Sequence, residues 1–314
     1  MEEIPCIFCN RSTDNIVIEE EGYKGRKCPT CGLIFISPRP SLDEILKRYR
    51  LNQPHTSAKS LISDFVSKKL VAKHHLRIIK KFIRGGSMLE IGAGAGYFLQ
   101  EARKNGFDVF GIELNDILAK FIIENLGIPC EASPLSDSTF DGKLFDIIYH
   151  YNVISHFYDP LLEFEKMNRK LKKGGFVVFE TGNLGDIEEK YFKYFVKFQY
   201  PDHLFFFSVN NLYELLLRTG FETISIYRFS ILPELIINKI MNIMLFVLKR
   251  NIAKDSMRAK TRTRSKETFL KKIMRNFYGG FDFLVRYKLG YLFPKRREPQ
   301  TIIVVARKIP SHGN

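Results

Sequence analysis

The chain has 314 residues, of which 45% are apolar and 26% are charged, and this balance excludes a largely disordered protein. Five cysteines in a chain of this length argue against a disulfide scaffold, and no apolar run reaches the roughly 18 residues of a membrane-spanning helix. The net charge is +15, but the stretch Lys249–Arg297 has 16 Lys/Arg against three acidic residues and accounts for +13 of it, so an anionic partner is expected only there. No secretory signal peptide is recognisable at the N-terminus, which predicts a cytoplasmic protein.

In chain order, the sequence predicts four parts. Residues 1–40 form a zinc-binding module that is punctuated by cysteines. Residues 41–86 form a helical linker or cap. Residues 87–229 together with 300–309 form an α/β domain, and residues 230–299 form an apolar and then basic helical insertion before the last strand.

The α/β part alternates short apolar runs with helical periodicity, which predicts a mostly parallel βαβ sheet. We expect its strands at Met88–Ile91, Val109–Ile112, Phe145–Tyr149, Phe176–Phe179, Thr223–Tyr227 and Thr301–Val305. We expect its helices at Tyr97–Asn105, Asp116–Asn125, Pro160–Leu171 and Val209–Thr219.

The N-terminal module contains two Cys-x2-Cys pairs separated by 18 residues. The four thiols are Cys6, Cys9, Cys28 and Cys31. This spacing is typical of a four-thiolate zinc site, and a closed shell of four ligands predicts a structural metal. Iron would accept the same ligands, but nothing else in the sequence suggests electron transfer, so zinc is favoured. The fifth cysteine, Cys130, has no cysteine partner nearby and is expected to be a buried thiol.

A glycine-rich turn follows the first strand of the α/β part, in the stretch MLEIGAGAGY. Gly92 and Gly94 allow a ligand to approach the backbone closely, and the helix that follows offers unpaired N–H groups. Glu113 ends the next strand, where a carboxylate binds ribose hydroxyls. Tyr97 occupies the place of the third glycine of a dinucleotide site, and an acid at Glu90 suits the positively charged S-adenosylmethionine (SAM) better than a pyrophosphate. SAM is therefore predicted over NAD.

Three stretches of the sequence resemble motifs of the class I SAM-dependent methyltransferases. They are EIGAGAG, the acid of GIELN, and FDIIYHYNVISHFYDP. The resemblance covers about residues 87–229 and the last strand. It implies a Rossmann-like sheet of seven strands, mostly parallel and with the last strand antiparallel. By resemblance, the methionine end of SAM contacts Glu90, Gly92, Gly94 and Gly96, the ribose contacts Glu113, and the sulfonium lies near Tyr151 and Asn152. The adenine is expected near Glu131, and Ser155 stands where many relatives carry a glutamate.

The segment Tyr200-Pro201-Asp202-His203 resembles the acceptor-side motif of bacterial sugar C-methyltransferases, in which the tyrosine and the histidine are the proposed acid/base pair. The resemblance extends to Glu180 and to a cysteine-rich zinc module. We therefore predict His203, Tyr200 and Asp202 as catalytic residues, with His156 as a further contact to SAM or acceptor. Pro201 and the insertion 230–299 depart from that family. The alternative is that Asp202 and His203 only anchor the helix that begins at Ser208.

The sequence leaves several functions open. The leading hypothesis is a methyltransferase for a sugar or another small metabolite; an RNA or quinone-precursor methyltransferase and a SAM-binding protein without turnover are the alternatives. The segment 231–297 has three interpretations, namely a helical lid over the acceptor, a peripheral contact with an anionic membrane, and a nucleic-acid contact. His74 and His75 are expected to be ordinary surface or packing residues.

Overall fold

The computed structural model describes residues 1–51, 62, 65–237, 239–240 and 279–310. Its main feature is a sheet of seven strands in the spatial order β10-β11-β8-β7-β4-β5-β6. The strands are β4 (Gly86–Ile91), β5 (Phe107–Ile112), β6 (Cys130–Glu131), β7 (Phe145–Tyr151), β8 (Leu171–Gly182), β10 (Phe221–Ser230) and β11 (Gln300–Lys308).

The pairing within this sheet is parallel from β6 to β8, whereas β11 runs antiparallel to both β8 and β10. The predicted fold class, a mostly parallel sheet whose last strand is antiparallel, is confirmed. The central strands read as continuous apolar runs because helices cover both faces of a parallel sheet. Met88, Leu89, Ile147 and Ile148 are accordingly fully buried.

Two helices, α1 (Leu42–Leu51) and α2 (Phe65–Ile79), lie in the stretch 41–86 that was expected to be helical. The helices of the α/β part match the expected periodicity; they are α3 (Tyr97–Lys104), α4 (Asp116–Leu126), α5 (Pro160–Lys170) and α6 (Val209–Arg218). Side-chain caps fix several of their starts: Asn115 accepts from Leu118 N, and Asp159 accepts from Leu162 N. Both caps place a loop residue at the carboxyl edge of the sheet, which is where ligands bind in open α/β folds.

The N-terminal residues form a second, antiparallel sheet in the order β1-β2-β3-β9. Its strands are β1 (Ile16–Glu20), β2 (Tyr23–Lys27), β3 (Ile34–Ile36) and β9 (Phe205–Phe206). The last of these, β9, begins two residues after His203 and pairs with β3 through Ile34–Phe206 and Phe35–Phe205. The N-terminal sheet therefore holds the segment that carries the predicted acceptor-side residues.

The insertion before β11 is described only at its two ends. Residues 232–237 are helical, and a helical segment from 279 includes a π-helical turn at Val285–Leu289 and a 3-10 turn at Gly290–Leu292. The basic tract 249–264 and the aromatics Phe277 and Tyr278 lie outside the described residues. Within the described part of the chain, no helix is both long and apolar enough to cross a membrane.

Candidate active site

The glycine-rich turn lies between β4 and α3, and three of its glycines have positive φ, at 71° for Gly92, 55° for Gly94 and 72° for Gly96. A Cβ atom at Gly92 would lie 2.7 Å from Cγ2 of Val153, whereas a Cβ at Gly94 would meet nothing within 4 Å. Gly94 therefore borders open space at the carboxyl edge of the sheet, as a ligand-binding turn requires.

Glu113 lies at the end of β5 and bonds to this turn. Its Oε2 accepts a hydrogen bond from Gly94 N at 2.7 Å, and its Oε1 accepts from Asn115 N at 2.9 Å. Burial raises the pKa of Glu113, although both backbone N–H groups oppose this by stabilising the ionised form. Each carboxylate oxygen keeps a second acceptor site, so the fixed group remains able to bind hydroxyls.

Glu90 lies on β4, two residues before Gly92, and is almost completely buried. Its Oε2 has no hydrogen-bond partner among the described residues. Burial, and then the charge of Glu113, raise the pKa of Glu90 well above its usual value. A buried carboxyl without a partner is costly, and a cationic ligand group offsets that cost. This donor set fits the ammonium and sulfonium charges of SAM.

The predicted sulfonium neighbours lie on the next strand. Tyr151 ends β7, and Asn152 follows it with a φ of 54° while its N–H donates to Glu180 O at 3.0 Å. The adjacent Val153 is the residue that a Cβ at Gly92 would strike. The loop after β7 thus borders the glycine turn, as the sequence motifs imply.

The acceptor-side residues form a polar group beside this loop. His156 Nδ1 lies 2.9 Å from the carbonyl oxygen of Asp202, and the rings of His156 and His203 have centroids 4.6 Å apart. Arg48 forms an ion pair with Asp202 at 3.3 Å.

The structure adds Tyr49 to this group, a residue that the sequence did not single out. Its Oη lies 2.7 Å from His156 Nδ1, and its backbone carbonyl accepts from the side chain of Asn115 at 3.4 Å. Burial raises the pKa of Tyr49, so its hydroxyl keeps its proton. Helix α1 therefore connects the loop that carries Glu113 with the acceptor side, a contact between distant residues that leaves no local sequence signal.

Tyr200 is placed differently from its predicted partner His203. Its hydroxyl faces β2, where a side chain at Gly25 would overlap it, and it has no hydrogen-bond partner among the described residues. Both Tyr200 and His203 contact the ring of Phe206, at centroid distances of 5.8 Å and 5.6 Å. The hydroxyl of Tyr200 thus points to the N-terminal sheet, whereas His203 contacts His156. An acid/base role for Tyr200 stays a prediction.

The structure brings the four N-terminal cysteines together. The sulfur atoms of Cys6, Cys9, Cys28 and Cys31 all lie within 4.8 Å of one another. Thiolates bound to one zinc at about 2.3 Å in a tetrahedron are about 3.8 Å apart, so this cluster fits the ion with small adjustments. The carbonyl of Cys31 also accepts from the side chain of Asn211 at 3.0 Å, which joins the cluster to the start of α6.

A second buried polar group lies on the α2 face of the sheet. His75 Nδ1 lies 2.5 Å from Tyr149 Oη, and His75 Nε2 lies 2.7 Å from Glu180 Oε2. Tyr287, from the helical segment before β11, donates to the same carboxylate at 2.8 Å. Tyr149 pairs in register with Glu90, so this network reaches the strand of the glycine turn. His75 is more than a packing residue, and only the tertiary fold shows its partners.

A family model described as "Methyltransferase domain" matches residues 65–226, about half of the chain. An uncharacterized protein of Methanocaldococcus jannaschii is 30% identical over 166 residues, which are 51% of this chain and 76% of that protein. A ubiquinone biosynthesis O-methyltransferase of Cereibacter sphaeroides is 25% identical over 126 residues, which are 38% of this chain and 51% of that enzyme. The chain thus spans only about half the length of that enzyme.

Among solved structures, the cyclopropane synthase MmaA2 from Mycobacterium tuberculosis shares the fold. Its TM-score is 0.51 at 14% identity, over 84% of this chain and 98% of that one. At this identity the likeness concerns the fold alone. The family model and the seven-stranded sheet together place the chain in the methyltransferase-domain family, that of the class I SAM-dependent methyltransferases.

Proposed function

We propose that the chain transfers the methyl group of SAM to a small-molecule acceptor, a sugar or nucleotide-linked sugar in cell-surface or secondary-product synthesis. The observation that carries the proposal is Glu90, a buried carboxyl with an unpartnered oxygen two residues before Gly92. A cationic ligand stabilises such a group, whereas the pyrophosphate of a dinucleotide would repel it.

The residues that would hold SAM follow from their positions. Gly92, Gly94 and Gly96 shape the turn at its methionine end, with Glu90 as the partner of the positive charge. Glu113, fixed by two backbone N–H groups, would accept from both ribose hydroxyls. Tyr151 and Asn152 would border the sulfonium from the end of β7.

When bound, SAM supplies an electrophilic methyl group on a positively charged sulfur. The acceptor atom forms the new bond to carbon while the sulfur–carbon bond breaks, and the sulfur leaves as a neutral thioether. The protein holds acceptor and methyl in line, and a base takes the acceptor's proton where one is released. We assign that base to His203, in ring contact with His156, and assign Asp202 the positioning of both.

The test is an acceptor screen that follows release of S-adenosylhomocysteine with nucleotide sugars, quinone precursors and RNA. We expect turnover with a sugar-type acceptor, and we expect His203→Asn to lose most of the turnover while keeping its affinity for SAM. An affinity loss without a change in turnover at saturating SAM would contradict the assignment of His203. SAM binding without turnover on any acceptor would instead support a SAM-binding protein.

A quinone precursor is the second candidate acceptor. The similarity to a ubiquinone biosynthesis O-methyltransferase favours it, although this covers only 38% of the chain. The acceptor screen separates the two, because a quinone-precursor methyltransferase would methylate the quinone precursors and leave nucleotide sugars unchanged.

We further propose that the four-cysteine cluster binds one structural zinc ion. The proposal is supported by the four converging sulfur atoms and by the free state of all five cysteines. A closed tetrahedral shell leaves no open coordination position for a substrate. Its effect on the site would be indirect, through the pairing of β3 with β9 and the bond from Asn211 to Cys31.

A further inference from the structure

A group of large apolar side chains lies exposed on the two described ends of the insertion. Leu292 and Phe293 have exposed fractions of 65% and 55%. We call the whole group the apolar–basic face; its apolar members are Ile236, Ile240, Phe281, Leu284, Leu289, Tyr291, Leu292 and Phe293. Single exposed apolar residues are ordinary, but several large ones within 13 residues of sequence mark an interaction surface.

The segment that carries most of this face is packed firmly on its other side. Phe283, Val285 and Tyr287 are buried, and Tyr287 donates to the buried carboxylate of Glu180. Gly290 lies so close to the backbone of Ser230 that a side chain there would overlap it. The exposed residues therefore form the outer face of a segment whose inner face packs against the rest of the protein.

The exposed charges around this face are all positive within residues 281–297. They are Lys288, Lys295, Arg296 and Arg297. Of the acidic groups nearby, Glu234 forms an ion pair with Arg286 at 2.7 Å, and Asp282 lies 4.0 Å from the same guanidinium. The exposed Glu188, whose backbone N–H donates to the carbonyl of Arg297, forms an ion pair with Lys190 at 2.7 Å. The face thus combines exposed apolar side chains with a cationic border.

A groove of about 450 Å³ adjoins the same surface, between residues 194–199 and the helix that carries Ile236. Like the apolar–basic face, the groove is lined by apolar and aromatic side chains together with lysines. The lining residues are Tyr194, Phe195, Val196, Lys197, Gln199, Leu235 and Lys239. The amino group of Lys239 lies 5.2 Å above the ring of Tyr194, at the edge of this groove.

We propose that the apolar–basic face binds the surface of an anionic lipid membrane without crossing it. Large apolar side chains that enter the headgroup region, bordered by lysine and arginine, are the features of a surface-lying segment. A nucleic acid would use the cations and the ring of Phe293, but the exposed aliphatic side chains of Leu284 and Leu292 offer no ring on which a base could stack. A second copy of the chain would bring the same cations face to face, which is unfavourable.

The test is sedimentation of the full-length protein with vesicles of phosphatidylcholine, with and without 30 mol% phosphatidylglycerol. We expect binding only to the anionic vesicles and a loss of binding at high salt. The double substitution Leu292→Glu with Phe293→Glu should abolish binding. The matched control is Leu217→Glu on α6, which is 67% exposed on a different element and should bind as the wild type does.

A second variant tests the electrostatic part. Each basic residue near an anionic surface contributes about fivefold in affinity, so Lys295→Glu, Arg296→Glu and Arg297→Glu together should weaken binding by at least about a hundredfold. Melting temperatures confirm that each variant folds. Equal vesicle binding by wild type and the Leu292/Phe293 variant would overturn the proposal. Two other results would also overturn it, provided that the wild type does not bind anionic vesicles. One is a wild-type dimer that the Leu292/Phe293 variant dissociates, and the other is RNA binding by the wild type that the variant abolishes.

Discussion

Replacing Gly94 by alanine separates a ligand-binding turn from a merely structural one. A Cβ at this position meets no protein atom within 4 Å, so the change creates no clash in the free protein. The φ of 55° is left-handed, and a residue with a Cβ loses about 1–2 kcal/mol there. Where SAM fills the open space, the added methyl group overpacks the complex by a further ~1–3 kcal/mol, which is roughly 5- to 150-fold in affinity.

The control for this substitution is Gly174→Ala. Gly174 has a φ of 72° and also has no atom within 4 Å of a Cβ, but it lies near the start of β8, far in sequence from the turn. Both variants should melt a few degrees lower than the wild type, at about 2–4 °C per kcal/mol. Calorimetry should show weakened SAM binding for Gly94→Ala alone. Equal SAM affinity of the two variants would refute the assignment of this turn to the ligand.

Three further substitutions test Glu90, the four-cysteine cluster and the buried network around Glu180. Burial raises the pKa of Glu90, and a cationic ligand binds its ionised form, so SAM binding should release protons and strengthen as the pH rises above the ordinary carboxyl range. Glu90→Gln should weaken SAM binding and reduce its pH dependence. Calorimetry in two buffers of different ionisation enthalpy measures the released protons, and a SAM affinity that falls as the pH rises would argue against this role of Glu90. The protein should contain one zinc per chain by elemental analysis, and Cys9→Ser should lose it while Cys130→Ser, outside the cluster, keeps it; equal metal contents would rule out the four-thiolate site. Tyr287→Phe removes a hydrogen bond to the buried carboxylate of Glu180 and should lower the free energy of unfolding by about 1–3 kcal/mol. Tyr291→Phe, on the exposed side of the same segment, should leave the free energy of unfolding unchanged. Similar denaturant midpoints for the two variants would contradict a stabilising role of the bond from Tyr287 to Glu180.

The fold was predictable because its signal is local. Each expected strand of the seven-stranded sheet lies within an observed one, and the expected run Phe176–Phe179 is the buried centre of the longer β8. Caps such as Ser208, which accepts from Asn211 N, fix helix starts through neighbouring residues. The short strand β6 belongs to the expected count of seven, but no apolar run predicted it because its two residues carry no periodicity.

The positions of the predicted site residues relative to one another follow from the sequence only where the residues belong to one local motif. Gly92, Gly94, Glu90 and Glu113 follow one another through strand, turn and strand, and the motif alone brings them together. Tyr49 and the contact of Tyr200 with β2 depend on how α1 and the N-terminal sheet pack against the main sheet.

The contacts of the buried network around Glu180 also join residues that are far apart in the sequence. His75 and Tyr287 are separated by more than 200 residues, yet both bond to Glu180 and their ring centroids lie 5.9 Å apart. No spacing rule connects residues at that distance, so the sequence alone predicted an ordinary surface or packing role for His75.

The most direct test of the central claim is a calorimetric titration of the full-length protein with SAM. We expect one site per chain, with an affinity between about 1 µM and 1 mM where enzymes commonly bind their substrates, and a marked loss of affinity in Glu90→Gln. A folded wild-type protein that shows no SAM binding would contradict it.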